Sequence, residues 1–136
     1  MTIAHSSAYT AQEVAASAHI PGRILAKTVM VIIDGAMAMA VLPSSHRVLL
    51  DDLRDLIDTD DIRLAHEDEF KTLFPDCEPG AMPPFGNLYD MSVYVSPDLA
   101  EEDEIAFNAG SHTEIIKMTY YDFERLVRPH VASFTN

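Results

Sequence analysis

The sequence predicts an α+β fold, a mixed sheet or small barrel with helices packed outside it. Three observations carry that expectation. Two apolar runs flank Asp34-Gly35, shorter apolar runs recur later in the chain, and segments of helical spacing lie between and behind them.

Taken in chain order, Thr10-Ala11-Gln12-Glu13 has the form of a capping box, with Thr10 as N-cap and Glu13 three residues on. The alanine-rich stretch behind it predicts a short helix that ends before Pro21-Gly22. Val29 to Leu42 is the strongest structural signal. Asp-Gly tolerates the positive φ angles of a type I′ turn, so the two runs read as a hairpin. Both runs are apolar on both faces, which predicts strands covered on both sides. Leu49–Ile57 and His66–Leu73 have helical spacing, and Pro75 should end the second. Asp76–Asn87 reads as a loop rich in glycine and proline. Met91–Val95 and Ile105–Asn108 read as strands joined by an acidic turn, and Thr113–Met118 as another strand. Thr119-Tyr-Tyr-Asp122 then caps a final helix that stops at Pro129.

The bulk numbers bound the answer. With 136 residues and 48% hydrophobic composition, residues 1–136 are expected to form one domain with a real core. No apolar run reaches the length of a membrane span, because Asp34-Gly35 breaks the longest. The start of the chain lacks the basic and apolar regions of a signal peptide, and Cys77 is its only cysteine. A cytoplasmic protein without a membrane partner is expected. The formal charge of −13, from 22 acidic and 9 basic residues, should repel nucleic acid at long range. DNA or general duplex binding is therefore excluded, whereas brief contact with one end of a nucleic acid through a locally basic pocket is not. The histidines show no metal-ligand spacing, and there is no phosphate-binding glycine motif, so neither metal nor cofactor is expected.

Three places could carry chemistry. Lys27 shares a strand face with Val29, Val31 and Ile33. An ammonium at the end of such a row either snorkels to water as an ordinary rim lysine or meets something anionic. Cys77 to Gly86 holds two glycines and three prolines in ten residues, which fixes an unusual backbone path. Such a loop is either a stiff connector or a frame that offers backbone groups to a substrate. Asn108-Ala109-Gly110-Ser111-His112 ends a strand with a close-approach glycine, a hydroxyl and an imidazole, although a locally bonded turn is the commoner fate of such a tripeptide. Adjacency alone does not make Ser111 and His112 a triad. Cys77 and the methionines at 30, 37, 39 and 91 read as structural filling.

Taken in order, Ala26-Lys27-Thr28-Val29, Leu42-Pro43-Ser44-Ser45-His46-Arg47-Val48, Arg63-Leu64-Ala65, the run from Phe74 to Gly86, and Phe107-Asn108-Ala109-Gly110-Ser111-His112 closely resemble the YbaK/ProX family. That family is also known as YbaK/EbsC, the prolyl-tRNA synthetase-associated domain. The resemblance covers nearly the whole chain. It implies a mixed, mostly antiparallel β-barrel wrapped by helices that acts as an aminoacyl-tRNA deacylase, removing a wrongly attached amino acid in trans. It implies that Lys27 is central to activity and that Thr28, beside it, contacts substrate. The Gly-x-x-x-Pro motif, here Gly80, Ala81, Met82, Pro83 and Pro84, would shape the aminoacyl pocket. Gly110, Ser111 and His112 match the prolyl-editing form. The implied partners are the acceptor end of an aminoacyl-tRNA, held by weak local contact, and a synthetase. Thr28 stands where alanyl-tRNA-deacylating members carry asparagine, which argues against alanine specificity. Members commonly begin with a further helix for which this chain has no room, so one rim of the pocket should be more open or covered by a partner. The competing expectation is a non-catalytic relative that binds an amino acid, a nucleotide or a synthetase, which the acidic charge favours.

Overall fold

The computed structural model of the chain describes residues 2–4, 20–78 and 81–136, the first three as backbone only. The helix expected behind Thr10 lies outside the described residues, as does Gly80.

The expected hairpin forms from β2 (Leu25–Ile33) and β3 (Ala36–Pro43), antiparallel in a register that sets Lys27 opposite Leu42 and Met30 opposite Met39. Asp34 (φ 51°) and Gly35 (φ 84°) supply the two positive angles that the primed turn demands. Around the hairpin lie β1 (Thr2–Ala4), β4 (Ile62–Leu64), β5 (Ser92–Val95), β6 (Glu104–Asn108), β7 (Glu114–Thr119) and β8 (His130–Val131). They join one sheet in the order β1-β7-β6-β2-β3-β5-β8, with β4 attached to β2. The β1/β7, β2/β3, β2/β4 and β6/β7 pairs are antiparallel, while β2/β6, β3/β5 and β5/β8 are parallel. The sheet is thus mixed, with antiparallel pairs only slightly in the majority.

Each face of the central strands carries an apolar layer, as runs apolar on both faces require. On one face, Ala26, Met30, Val41 and Phe107 pack with Phe123 of α4 (Tyr120–Val127) and Leu99 of α3 (Pro97–Ala100). On the other, Val29, Ile33, Ala40 and Leu42 pack with Leu53 of α1 (Leu50–Ile57) and with Phe134. Met30 and Met39 are buried in the first layer and Met37 and Met91 pack against it, as their sequence context suggested.

Three sequence expectations change. The helix expected over His66–Leu73 is one turn, α2 (Glu67–Phe70), followed by turns. Pro75 pushes Phe74 away from helical backbone, and Phe74 is buried in the core, so the chain unwinds early to place it. The acidic turn between β5 and β6 contains α3, with the Ser96 hydroxyl accepting from the Asp98 amide and Pro97 in the first turn. Those two strands are not neighbours: β5 lies against β3 and β8, and β6 against β2 and β7. The end of the Gly/Pro-rich loop also contains a turn of 3₁₀ helix, Gly86–Tyr89.

The last helix is capped as expected, with Thr119 Oγ1 accepting from the Asp122 amide at 3.1 Å. It ends at Arg128, whose left-handed φ of 52° turns the chain before Pro129. The tail then returns to the 47–49 segment: the Leu49 amide donates to the Phe134 carbonyl at 2.7 Å and the Arg47 amide to Asn136 Oδ1 at 3.0 Å. Part of the resembling Leu42–Val48 segment therefore anchors this tail.

Candidate active site

The site begins from a split in the sheet. One edge of β2 is shared by two strands that do not meet. β6 pairs with its start, at Leu25 and Ala26, and β4 with its end, from Val31 to Ile33. Along a strand, peptide groups of alternate residues face the same edge. The Ile24 carbonyl accepts from Ala106 and the Met30 carbonyl from Ala65, so Ala26 and Thr28 direct their peptide groups towards that same edge. Between Ala26 and Met30 no strand covers it among the described residues. Divergence of two neighbouring strands is where sheets open crevices for ligands.

Lys27 and Thr28 lie on this interval and face opposite ways. Thr28 sits between Ala26 and Met30, on the face packed against Met82. Lys27 shares the other face with Val29 and Leu42. It is partly buried, and desolvation pulls its ammonium below the ordinary lysine range. No carboxylate pairs with it among the described residues.

The other two candidate segments are stitched together beside the end of β6. The Glu78 amide donates to the Gly110 carbonyl at 2.7 Å, and the Gly110 amide donates to the Ala81 carbonyl at 3.0 Å. The Glu78 carboxylate also accepts from the His112 amide at 3.2 Å. Gly110 has φ +93°, an angle that side-chain-bearing residues rarely adopt. Cys77 Sγ and the Asp76 carbonyl lie 3.6 and 3.7 Å from where a Cβ would stand, so the glycine is required by its angle more than by crowding. Burial first and Asp76 second raise the Cys77 thiol, which leaves it poorly nucleophilic and agrees with a structural role.

Ala81, Met82 and Pro84 are buried and Pro83 is partly exposed. The Ala81 main chain is itself buried and bonded, its amide to the Glu78 carbonyl and its carbonyl to the Gly110 amide, so the apolar side chains of this part of the loop seal the core. Ser111 Oγ lies 3.1 Å from Thr113 Oγ1 and accepts from the Thr113 amide at 3.3 Å, so its hydroxyl is engaged in the turn. Two residues given no role from sequence prove central to the geometry, Glu78 and Asn108. Asn108 is buried, and its Nδ2 donates to the Ser111 carbonyl at 3.2 Å and the Glu114 carbonyl at 3.5 Å. The legible signal was a polar residue ending an otherwise apolar strand, Ile105-Ala-Phe-Asn108.

Comparison with known proteins follows the same lines. A family model described as the aminoacyl-tRNA editing domain matches residues 5–126. No curated protein matches the sequence. Among solved structures, a proposed trans-editing enzyme for prolyl tRNA synthetase superposes with a TM-score of 0.87 at 19% identity, covering 99% of this chain and 85% of that one. A hypothetical protein gives 0.87 at 18% identity, over 100% of this chain and 91% of the other. A scaffold from computational epitope grafting gives 0.86 at 18% identity, over 99% and 85%. At these identities the superpositions show a shared fold.

Proposed function

Because the chain belongs to the aminoacyl-tRNA editing domain family, we propose that it is a trans-acting deacylase, hydrolysing the ester that joins a wrongly attached amino acid to tRNA. The observation that carries this reading is the bonding of Glu78 and Ala81 to Gly110 and His112 beside the split edge that holds Lys27 and Thr28. Segments far apart in sequence are bonded together there, near a lysine that has no carboxylate partner among the described residues. The family resemblance of those segments supports it further, as does the likeness in fold to a protein described as a prolyl trans-editing enzyme.

In the proposed reaction, water adds to the ester carbonyl carbon and negative charge develops on the carbonyl oxygen. The bond to the ribose oxygen then breaks, that oxygen takes a proton, and the free amino acid leaves. An aminoacyl ester is already activated, so positioning and carbonyl polarisation matter more than a strong protein nucleophile. Lys27 is the cation available to meet the developing charge or the terminal phosphate, and its desolvation strengthens that interaction. Backbone groups of the Gly80–Pro84 loop and the Gly110–His112 turn orient water and the aminoacyl group, with Thr28 and Met82 on one wall. A neighbouring ribose hydroxyl takes the role of base. The whole chain acts in this reading as one editing domain in the cytoplasm, touching the acceptor end alone and working beside a synthetase.

The test is a deacylation panel of alanyl-, seryl-, threonyl-, cysteinyl- and prolyl-tRNA. At least one ester should be cleaved well above the buffer rate. If none is, the chain is a non-catalytic binding relative, the reading that its −13 charge favours.

A further inference from the structure

We propose that Asn108 is a positioning residue, whose buried amide sets the place of the Gly110–His112 turn relative to Lys27 and thereby governs turnover. This rests on the ester-hydrolysis reading above.

Three polar residues are buried among the described ones, and two of them make a single side-chain bond to the backbone. Ser44 bonds the Gly22 carbonyl and Ser96 caps α3. Asn108 differs because its amide bridges the reversal between β6 and β7. Its Nδ2 donates to Ser111, at the tip of the reversal, and to Glu114, at the start of β7. Among the described residues the Ser111 carbonyl otherwise receives only the Glu114 amide, at a long 3.5 Å. Asn108 is thus the shorter of the two bonds that hold the tip down.

Register supplies the second half of the argument. β2 and β6 pair in parallel at Leu25/Ala106 and Ala26/Phe107, so the next residues along are Lys27 and Asn108. They are the first residues past the last pair of the two strands, and alternation puts both on the same face. The lysine and the asparagine that fixes the turn therefore leave the same last paired position, Ala26 with Phe107. Glu78 braces the same turn from the opposite, exposed side through the Gly110 carbonyl and the His112 amide. A turn gripped from both sides cannot drift relative to Lys27 without breaking one grip. Serine or threonine is too short to reach two carbonyls, and aspartate offers no hydrogen to either.

The experiment compares wild type with Asn108→Asp, Asn108→Ala and Asn108→Ser on whichever aminoacyl-tRNA the wild type hydrolyses. All are assayed at a temperature where circular dichroism shows each to be folded. In Asn108→Asp and Asn108→Ala, kcat should fall about tenfold or more with KM changed less than about threefold, because substrate still binds while the turn is misplaced. Asn108→Ser keeps one donor and should fall between them and wild type. If the first two do not fold, the serine variant alone decides, and full kcat in it overturns the proposal. Wild-type kcat in any folded variant that lacks the donor also overturns it, as does a loss confined to KM. An inactive wild type would instead remove the hydrolase reading, and this inference with it.

Discussion

At Lys27, burial and the proposed catalysis pull in opposite directions. Desolvation holds its pKa below 10.5 in the folded chain. Between the folded value and 10.5 the unfolded chain therefore binds more protons, and stability rises with pH across that window. At neutral pH the charge is a cost to folding, retained because the proposed transition state uses it. Lys27→Ala should lower hydrolysis roughly a hundredfold or more. Its circular dichroism spectrum should not change, and full activity would remove Lys27 from the mechanism. Lys27→Met should melt at or above the wild-type temperature at neutral pH, with that advantage shrinking as the pH approaches 10.5. Melts at a series of pH values check the sign. Tyr120 is a second buried group under tension. Its hydroxyl has no hydrogen-bond partner among the described residues, and burial, then Glu124, push its pKa up to about 12. Replacing it by phenylalanine removes an unpaired polar atom, so Tyr120→Phe should gain about 1 kcal/mol in denaturant titration. A loss of stability would show that the hydroxyl has a partner.

Among the loops, two glycines separate function from packing. Gly110 needs its positive φ, and a methyl group there would meet only ordinary contacts at 3.6 and 3.7 Å. Gly110→Ala should therefore cost about 1–2 kcal/mol through backbone strain. Because Gly110 joins the loop to the turn, hydrolysis should fall far more than stability does. Gly86 presents the reverse case. A Cβ there would lie 2.8 Å from Val93 Cγ2 and 3.1 Å from the Met91 carbonyl, so Gly86→Ala overpacks the base of β5. That should cost about 1–3 kcal/mol while activity per folded molecule holds. Melting curves and kcat measured side by side on both variants test the division. Equal effects of the two on kcat would show that Gly110 is only a structural connector.

Across the whole molecule, the tail and the charge set the behaviour. Phe134 is fully buried in the layer beneath α1, and β8 with the segment after it ties the end of the chain to β5 and Leu49. Phe134→Ala should cost about 3–5 kcal/mol, read as a shift in the denaturation midpoint. A shift below about 1 kcal/mol would mean that the tail is an appendage. The charge predicts the style of tRNA contact. Arg23, Arg54, Arg63 and Arg125 are already paired with Glu102, Asp51, Glu69 and Asp122, which leaves few cations for phosphates. The affinity for tRNA should therefore depend weakly on salt, with a slope equivalent to about one or two neutralised phosphates. A steep slope would reveal a basic face that the described residues do not contain.

What the sequence determined by itself is local chemistry. Asp34-Gly35 can hardly do anything but make a primed turn, Thr119 caps the helix that follows it, and alternation puts Lys27 on the face of Val29 and Ile33. The order of the motifs also marked the family, since their residue types survive without any knowledge of contacts. Ser96-Pro97-Asp98 is an equally local helix start, masked in the sequence by the run of acids behind it, which has the composition of a solvated turn. The tertiary structure alone decided which distant segments meet. Nothing in local periodicity links Glu78 to His112, 34 residues on, and their bond exists only because β6 turns back into β7 beside the loop. The same holds for the early unwinding of α2, which the burial of Phe74 imposes. It also holds for the parallel pairing of β2 with β6, whose last pair, Ala26 with Phe107, directly precedes Lys27 and Asn108. Periodicity reports which face of an element is buried, but the neighbour against which it is buried depends on the packing of the whole chain.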